Sequence, residues 1–289
     1  MKYEGIVYRP PSEAYSYIIQ VTIGCAHNTC LFCNMYRQKQ FRVREMEEIK
    51  EELQEAARQY GVAVRKVFLA DGDALCLPTS QMLEILSYIK EQMPWVERVS
   101  AYATAQDILE KSREELYKIS KAGLKLLYIG AESGDDIVLH QMGKGVDSSQ
   151  IQAAGIQAKE CGFQTSVTLI SGLGGKERHR EHALASADLI SQMKPDYLGF
   201  LTLMLEEPAP ICRLVERGDF LLLEPEEVME EMELFLQRVD AEGTVFRANH
   251  ASNYVSLRGT LNQDRRLLLE QVKKVKESMA FKQEVYRRL

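Results

Sequence analysis

Apolar runs and amphipathic stretches alternate along the chain from residue 16 to about residue 205. The apolar runs resemble the strands of a buried parallel sheet, and the stretches between them repeat apolar residues at helical spacing. Strands are predicted at Tyr17–Ile23, Val64–Ala70, Val96–Thr104, Leu126–Ala131, Phe163–Ser171 and Tyr197–Met204. Helices are predicted at Glu45–Tyr60, Ser80–Gln92, Ser112–Ala122, Ser148–Cys161 and Lys176–Met193. Six consecutive strand–helix units predict an α/β fold with right-handed crossovers and a parallel sheet, either open or closed into a partial barrel.

Local signals mark the ends of two of these helices. Ser80 is the predicted N-cap of the second helix, and Pro94 follows its end. Ser112 and Glu115 have the spacing of a capping box, and Gly123 stands where a helix commonly terminates.

The alternation stops after Leu205. Beyond it, Glu226–Val239 and Asp264–Ala280 have helical spacing, and Val245–Leu257 is mixed. We expect residues 1–205 to form the α/β core with a short N-terminal arm. Residues 206–289 are expected to form a mixed, mainly helical C-terminal extension that packs on the core.

The composition is that of a globular protein, with 45% hydrophobic and 27% charged residues among 289. The 42 acidic residues outnumber the 36 basic ones, and the single tryptophan and dispersed tyrosines form no stacking platform, so a nucleic-acid partner is not favoured. No apolar run approaches the about 20 residues of a membrane span, and residues 1–11 do not read as a signal peptide. These features predict a cytoplasmic protein without a membrane partner.

Three of the six cysteines, Cys25, Cys30 and Cys33, lie within nine residues directly after the first predicted strand. Three thiolates from one loop can hold three irons of a 4Fe–4S cluster. Because no fourth cysteine lies nearby, one iron would keep an open position for a cofactor or substrate. The alternative is a structural zinc site with His27 or a distant cysteine as fourth ligand, although no second short ligand hairpin is present.

A strand that ends in Gly-Cys and leads to Cys-x-aromatic-Cys, with Phe32 as the aromatic residue, resembles the radical S-adenosylmethionine superfamily. The commonest spacing in that superfamily has one residue fewer between the first two cysteines. The resemblance covers roughly residues 16–205 and implies a partial (β/α)6 TIM-like barrel. It implies a 4Fe–4S cluster on the three cysteines and S-adenosylmethionine as cofactor. The implied activity is reductive cleavage of that cofactor to a 5′-deoxyadenosyl radical, which abstracts hydrogen from a substrate.

Two further segments resemble motifs of the superfamily that contact the cofactor. Asp71, Gly72 and Asp73 stand in place of the Gly-Gly-Glu motif that receives the methionine amino group. Glu132, at the end of the fourth predicted strand, stands where a carboxylate contacts the ribose hydroxyls or the amino group. The alternatives are a plain strand-ending turn for the first segment and a capping or salt-bridged glutamate for the second.

The end of the fifth predicted strand resembles the Gly-x-Ile-x-Gly motif beside which the adenine lies. Thr168 replaces the first glycine, followed by Ile170 and Gly172. Among the cations that follow, Arg178 is the candidate for holding the methionine carboxylate.

The candidate substrate residues belong to the C-terminal extension: Arg247, Asn249, His250, Asn253, Tyr254 and Cys212. The polar members could form a hydrogen-bonding lid, or a strand and turn whose polar side chains are satisfied within the protein. Cys76 and Cys212 are candidate hydrogen-atom donors, whereas Cys161 is predicted to be a buried thiol.

The resemblance thus predicts an enzyme acting on a small molecule or cofactor precursor, with a flavodoxin- or ferredoxin-type electron donor. A tRNA- or macromolecule-modifying enzyme is the alternative within the same class. A non-catalytic iron–sulfur or zinc-binding protein is the alternative from another class.

Overall fold

Every strand and helix predicted between residues 16 and 205 is present in the structure, a computed structural model that describes residues 3–287. Strands β1–β10 are Tyr17–Gln20, Thr22–Ile23, Arg42–Val43, Lys66–Ala70, Arg98–Ala103, Leu124–Glu132, Gln164–Ser171, Tyr197–Thr202, Val245–Ala248 and Leu257–Thr260. Helices α1–α10 are Met46–Tyr60, Thr79–Gln92, Ala105–Glu110, Arg113–Ala122, Asp136–Gln141, Ser148–Glu160, Gly175–Met193, Ile211–Glu216, Pro225–Arg238 and Arg265–Ser278. The outermost residues of the two predicted domains, 1, 2, 288 and 289, lie outside the described part of the chain.

The first predicted strand, Tyr17–Ile23, is divided at Val21. Val21 N donates to the Ala70 carbonyl, and the Val21 carbonyl accepts from Arg44 N at 3.0 Å. The chain therefore leaves the ladder with β4, and the short strand β2 pairs antiparallel with β3. This division brings the segment before Cys25 alongside the end of β4.

The predicted helix-end signals are confirmed except at Ser80, and Gly123 follows the last residue of α4 as predicted. Helix α2 begins at Thr79 with Pro78 at the N-cap, so Ser80 is not its cap. The capping box of α4 is confirmed, since Ser112 Oγ accepts from Glu115 N at 3.2 Å and the Glu115 carboxylate accepts from Ser112 N at 2.9 Å.

Eight strands form one sheet in the order β1-β4-β5-β6-β7-β8-β9-β10. The pairs β1–β4, β4–β5, β5–β6, β7–β8 and β8–β9 are parallel, and β9–β10 is antiparallel. The six strands of the predicted core therefore follow one another in sequence, and the C-terminal extension adds two strands and helices α8–α10. No helix within residues 3–287 is both long and apolar enough to span a bilayer.

The chain divides into two compact units. Among the described residues, the first comprises those up to Asn28, with Met35–Ile129 and Ile156–Thr165. Its core lies between β1, β4 and β5 and the buried faces of α1 and α2, where Leu53 and Ile85 are buried. The N-terminal arm belongs to this unit.

One buried carboxylate fixes the N-terminal arm of the first unit. Glu13 Oε1 accepts from Arg98 at 2.6 Å and from the Tyr128 hydroxyl at 2.5 Å. Ser12 Oγ lies 2.7 Å from the same hydroxyl. The arm is therefore a structured part of the unit, because a buried charge is retained only where it is paired and hydrogen-bonded.

The second unit comprises Thr29–Asn34, Gly130–Gly155 and the residues from Ser166 onward. Helices α7 and α9 pack together, and α9 also packs on α10. Phe200 on β8, Phe235 on α9 and Phe246 on β9 form an aromatic cluster, with the first two ring centroids 4.7 Å apart. This packing places the ends of β6 and β7 beside α7 and α9.

Candidate cofactor and metal site

In the first unit, Asp71 fastens the turn after β4 to the segment before Cys25. Asp71 is fully buried, and its Oδ2 atom accepts from Gln20 Nε2 at 2.9 Å, from Gly24 N at 2.9 Å and from Lys39 Nζ at 2.8 Å. The other oxygen, Oδ1, is buried without a hydrogen-bond partner among the described residues. Asp71 Oδ2 thus joins the turn after β4 to Gln20, Gly24 and Lys39, and Oδ1 remains as a hydrogen-bond acceptor.

Gly72 has a structural reason to lack a side chain. A Cβ atom there would lie 2.9 Å from Tyr36 Cδ2 and closer still to Tyr36 Cε2. Tyr36 is buried and stands three residues after Cys33 in the sequence, so its ring packs directly on the backbone of the turn. The group that approaches the Gly72 backbone closely is therefore the ring of Tyr36.

Asp73, the last residue of this turn, is buried, and Cys76 Sγ donates to its carbonyl at 2.9 Å. Burial, followed by the nearby Asp73 charge, raises the pKa of the Cys76 thiol. Cys76 is therefore protonated at neutral pH, as a hydrogen-atom donor requires.

In the second unit, backbone hydrogen bonds hold the loop that contains Cys30 and Cys33. Leu31 N donates to the Met142 carbonyl at 2.9 Å, and the Leu31 carbonyl accepts from Ile211 N at 3.0 Å. Cys33 N donates to the Cys30 carbonyl at 3.3 Å, which closes a tight turn. The thiols of this loop therefore stand on a backbone fixed from both sides.

Side chains of the same loop are also fixed. Asn34 Nδ2 donates to Glu206 Oε2 at 2.6 Å. Phe32 packs against an apolar cluster that includes Ile170, Leu173 and the buried Cys212. Phe32 and Ile170, both predicted to contact the cofactor, therefore share one apolar environment.

The carboxylate at the end of β6 is paired with a cation that was not assigned a role from the sequence. Glu132 has a φ of 66°, which is uncommon for a residue other than glycine. Its Oε1 atom accepts from Lys144 Nζ at 3.1 Å, and both side chains are largely buried. Glu132 is thus salt-bridged, and Lys144 places a positive charge at the strand end.

Arg178 has a different environment. Its Nε and Nη2 atoms donate to Asp135 Oδ2 at 3.0 and 2.8 Å. The other oxygen of Asp135 accepts from Ile137 N at 2.9 Å and caps helix α5. Arg178 therefore ties α7 to the turn after β6.

At the end of β7, two buried ionisable side chains bind backbone atoms of the predicted adenine motif. His182 Nε2 donates to the Ile170 carbonyl at 3.1 Å, and Glu231 Oε1 accepts from Gly172 N at 2.9 Å. Thr168, the first residue of the motif, is half-buried within β7 and lies opposite Gly199 of β8. Neither buried side chain, His182 nor Glu231, has a predicted role from the sequence.

The predicted substrate residues do not form one polar cluster. Asn253 is buried, accepts from Thr202 Oγ1 at 2.9 Å and donates to the Phe200 carbonyl at 2.8 Å. His250 Nδ1 lies 2.9 Å from Ser252 Oγ. Asn253 therefore bonds residues of β8, and His250 bonds its neighbour Ser252, as in the alternative of polar side chains satisfied within the protein.

The other candidate substrate residues in this region differ in exposure and in contacts. Arg247 and Asn249 are exposed, and Arg247 donates to the Phe246 carbonyl at 2.7 Å. The guanidinium of Arg287 stacks on the Tyr254 ring, 3.7 Å from its centroid. The substrate assignment of these residues stays a prediction.

Comparison with known proteins identifies the family. A sequence model described as the Radical SAM superfamily matches residues 19–187, more than half of the 289 residues. This chain belongs to the Radical SAM superfamily. Members of this superfamily use a 4Fe–4S cluster and S-adenosylmethionine.

Similar proteins include the heme chaperone HemW of Bacillus subtilis (strain 168), which is 22% identical over 182 residues, covering 62% of this chain and 47% of that protein. Coproporphyrinogen III oxidase (HemN) from Escherichia coli is 19% identical with a TM-score of 0.58, covering 77% of this chain and 52% of that chain. Methylornithine synthase (PylB) is 20% identical with a TM-score of 0.55, covering 92% and 82%. These solved structures confirm the predicted partial-barrel α/β fold. The chain spans less than half the length of the curated relatives that it matches.

The donor set of this radical SAM chain fits an iron–sulfur cluster by its chemistry. Cys25, Cys30 and Cys33 are thiols, each half-buried. Within residues 3–287 the structure gathers no three His, Cys, Asp or Glu side chains at metal-binding separation. The fit therefore rests on the three thiols of one loop, which are the ligands that such clusters require.

Glu231 is expected to make the stability of the protein fall as pH rises from 6.5 to 8. Burial raises the pKa of Glu231 from 4.5 to about 8. Burial also lowers the pKa of His182 from 6.5 to about 4, although the nearby Asp135 charge acts to raise it. Between pH 4.5 and 6.5 the two groups act in opposite directions. Above pH 6.5 only Glu231 binds more protons when folded than when unfolded, so its contribution to stability is lost as pH rises towards 8.

The loss amounts to roughly 2 kcal/mol between pH 6.5 and 8 for one proton. Denaturant titrations of anaerobic protein at several pH values measure it, with Glu231→Gln as the matched variant because glutamine cannot ionise. We expect the wild-type free energy of unfolding to decline relative to that of the variant. Parallel pH profiles for the two proteins would show that Glu231 is already ionised at pH 6.5.

Proposed function

We propose that this radical SAM chain is an enzyme that binds a 4Fe–4S cluster on Cys25, Cys30 and Cys33. The bound cluster would supply the electron that cleaves S-adenosylmethionine to methionine and a 5′-deoxyadenosyl radical, which abstracts hydrogen from a substrate. The observation behind the proposal is the family match over residues 19–187, because it includes all three cysteines.

The protein's own residues would position the cofactor. The free acceptor on Asp71, Oδ1, and the carboxylate of Glu132 are suited to the methionine amino group and the ribose hydroxyls, since carboxylates form strong charge-assisted hydrogen bonds. The end of β7, from Thr168 to Gly172, would lie beside the adenine, with Phe32 and Ile170 in the apolar cluster next to it.

Lys144 is a better candidate than Arg178 for holding the methionine carboxylate. Arg178 ties α7 to the turn after β6 through its two hydrogen bonds with Asp135, whereas Lys144 forms its salt bridge with Glu132, the predicted ribose contact. Loss of one charge-assisted contact typically costs enough to weaken binding about tenfold to a hundredfold. We therefore expect Lys144→Met to raise the Kd for S-adenosylmethionine by that factor, measured by anaerobic isothermal titration calorimetry.

Lys144→Arg, which keeps the positive charge, serves as the matched control and is expected to bind within a few-fold of wild type. Arg178→Met is expected to lower the melting temperature, because it leaves Asp135 without its cation. If Arg178→Met loses affinity while Lys144→Met binds as wild type does, the carboxylate belongs to Arg178.

We further propose a small molecule or cofactor precursor as substrate, a flavodoxin- or ferredoxin-type electron donor and a cytoplasmic location. The surplus of 42 acidic over 36 basic residues supports a substrate other than nucleic acid. The buried thiol of Cys212, packed in the same cluster as Phe32, is the thiol that we would test first as a hydrogen-atom donor.

The deciding experiment is anaerobic reconstitution with iron and sulfide, followed by addition of S-adenosylmethionine and a strong reductant. The expected product is 5′-deoxyadenosine, released only when both cluster and reductant are present. Cluster-loaded protein that releases none would overturn the proposal. Zinc in place of iron in both aerobic and anaerobic preparations would favour a non-catalytic metal protein.

A further inference from the structure

One buried histidine bridges the two turns of the second unit that the family resemblance assigns to the cofactor. Ser133 Oγ donates to His182 Nδ1 at 2.7 Å, and His182 Nε2 donates to the Ile170 carbonyl at 3.1 Å. Ser133 follows Glu132 in the turn after β6, and Ile170 is the last residue but one of β7. A single imidazole ring on α7 therefore links these two turns by hydrogen bonds.

A second buried side chain completes the arrangement from α9. Glu231 Oε1 accepts from Gly172 N at 2.9 Å and lies 3.8 Å from His182 Nε2. The side chains of His182 and Glu231 are only 1% and 3% exposed. His182 thus binds the backbone carbonyl before Ser171, and Glu231 binds the backbone N–H after it.

The chemistry of these contacts argues for a positioning role. A buried imidazole and a buried carboxyl group each cost desolvation free energy, and apolar residues of similar volume would fill the same space at lower cost. Burial favours the neutral form of both groups. A neutral imidazole has one donor and one acceptor, which are both used here between Ser133 and Ile170.

One further bond orders the turn after β6 from within, and another fixes it to α7. Asp135 N donates to Ser133 Oγ at 2.9 Å, and Gly134 N donates to Ser186 Oγ at 2.9 Å. The Ser133 hydroxyl therefore has a defined direction, since it accepts from Asp135 N and donates to His182. The orientation of the His182 ring therefore depends on the conformation of the turn after β6.

We propose that His182 and Glu231 are positioning residues for S-adenosylmethionine, which act by fixing the Glu132 turn and the Ile170–Gly172 turn in one geometry without touching the cofactor. This inference rests on the proposed function, in which both turns contact the cofactor. Preorganised turns lower the ordering cost of binding, so loss of either side chain would weaken binding while the chain still folds.

Binding of S-adenosylmethionine to the cluster-loaded protein, measured by anaerobic calorimetry, tests the inference. We expect Glu231→Leu and His182→Phe each to raise the Kd about tenfold, the effect of one unmade buried hydrogen bond. Glu231→Gln keeps an acceptor for Gly172 N and is expected to stay within about threefold of wild type. In turnover, KM for S-adenosylmethionine should rise while kcat at saturation changes little.

Ile190→Val is the matched control, because Ile190 is buried on the same helix and contacts neither turn through a polar group. It is expected to lower the melting temperature without changing the Kd. Where His182→Phe fails to fold, Ser133→Ala removes the same bridge from the other side and should also weaken binding about tenfold. A wild-type Kd in folded Glu231→Leu, or equal weakening by the leucine and glutamine variants, would refute the positioning role. Failure of the wild type itself to bind S-adenosylmethionine would instead count against the proposed function.

Discussion

Cys33→Ala is expected to abolish iron binding and, with it, the release of 5′-deoxyadenosine. A cluster held by three protein thiolates loses a corner when one thiolate is removed, and no other cysteine stands within the loop to replace it. Because Cys33 is half-buried and alanine keeps the main-chain bond from residue 33 N to the Cys30 carbonyl, the fold should persist. Iron and sulfide per chain after anaerobic reconstitution should fall from about four to less than about one.

The remaining cysteines supply the controls. Cys161 is buried as predicted, and its thiol donates to the Arg113 carbonyl at 3.6 Å. Cys161→Ala should therefore bind iron as wild type does. Cys212→Ala should also keep its iron, and unchanged turnover in that variant would remove Cys212 as a hydrogen-atom donor. Wild-type iron content in Cys33→Ala would show that the loop is not the cluster site.

The order of strands and helices could be predicted because each element signals itself over a few residues. The capping box at Ser112 and Glu115 is such a signal, and the structure contains it. Thr104 and Asp107 form the same box, yet helix α3 was not predicted, because its six residues are too short to show a period. The division of the first strand at Val21 was not predictable either, since it depends on Ala70 and Arg44, which are distant in sequence.

The candidate site shows the same limit. Its motif residues, such as Cys33 and Glu132, follow strands at recognisable positions. Lys144 lies 12 residues after Glu132, and only the structure shows that they pair. Glu231 binds the backbone N–H of Gly172, which lies 59 residues away in the sequence. The residues around Glu231 have the pattern of an ordinary amphipathic helix. Residues that act through backbone atoms of a distant turn leave no local pattern.

The turn after β4 illustrates how one motif can serve two purposes. Its resemblance to a cofactor motif predicts acceptors at Asp71 and Asp73 and a small residue at Gly72. In the structure, Asp71 Oδ2 holds Gly24, and the space at Gly72 is taken by Tyr36. The turn therefore anchors the segment before Cys25, while Asp71 Oδ1 remains available for the proposed ammonium contact.

Gly134→Ala is expected to destabilise the protein by about 3 kcal/mol, since overpacking against rigid backbone has costs of this order. A Cβ atom at Gly134 would lie 2.5 Å from the carbonyl carbon of Ala185 and 2.6 Å from Ser186 N, in the middle of α7. A helix backbone cannot move aside as a flexible side chain can, so the turn after β6 must shift. The shift would break the bond from Gly134 N to Ser186 Oγ and displace Glu132 from its place at the strand end.

Thermal unfolding of the anaerobic protein measures this effect, and a loss of that size lowers the melting temperature by roughly 5–10 °C in a chain of this length. Gly199→Ala is the matched control in the same unit, because the nearest atoms to its Cβ, Thr168 Oγ1 and Val167 O, are 3.9 Å away. It should change the stability by no more than about 1 kcal/mol. The two variants should also differ in affinity, with weakened S-adenosylmethionine binding only for Gly134→Ala. If both melt alike and bind alike, α7 does not hold the Glu132 turn as described.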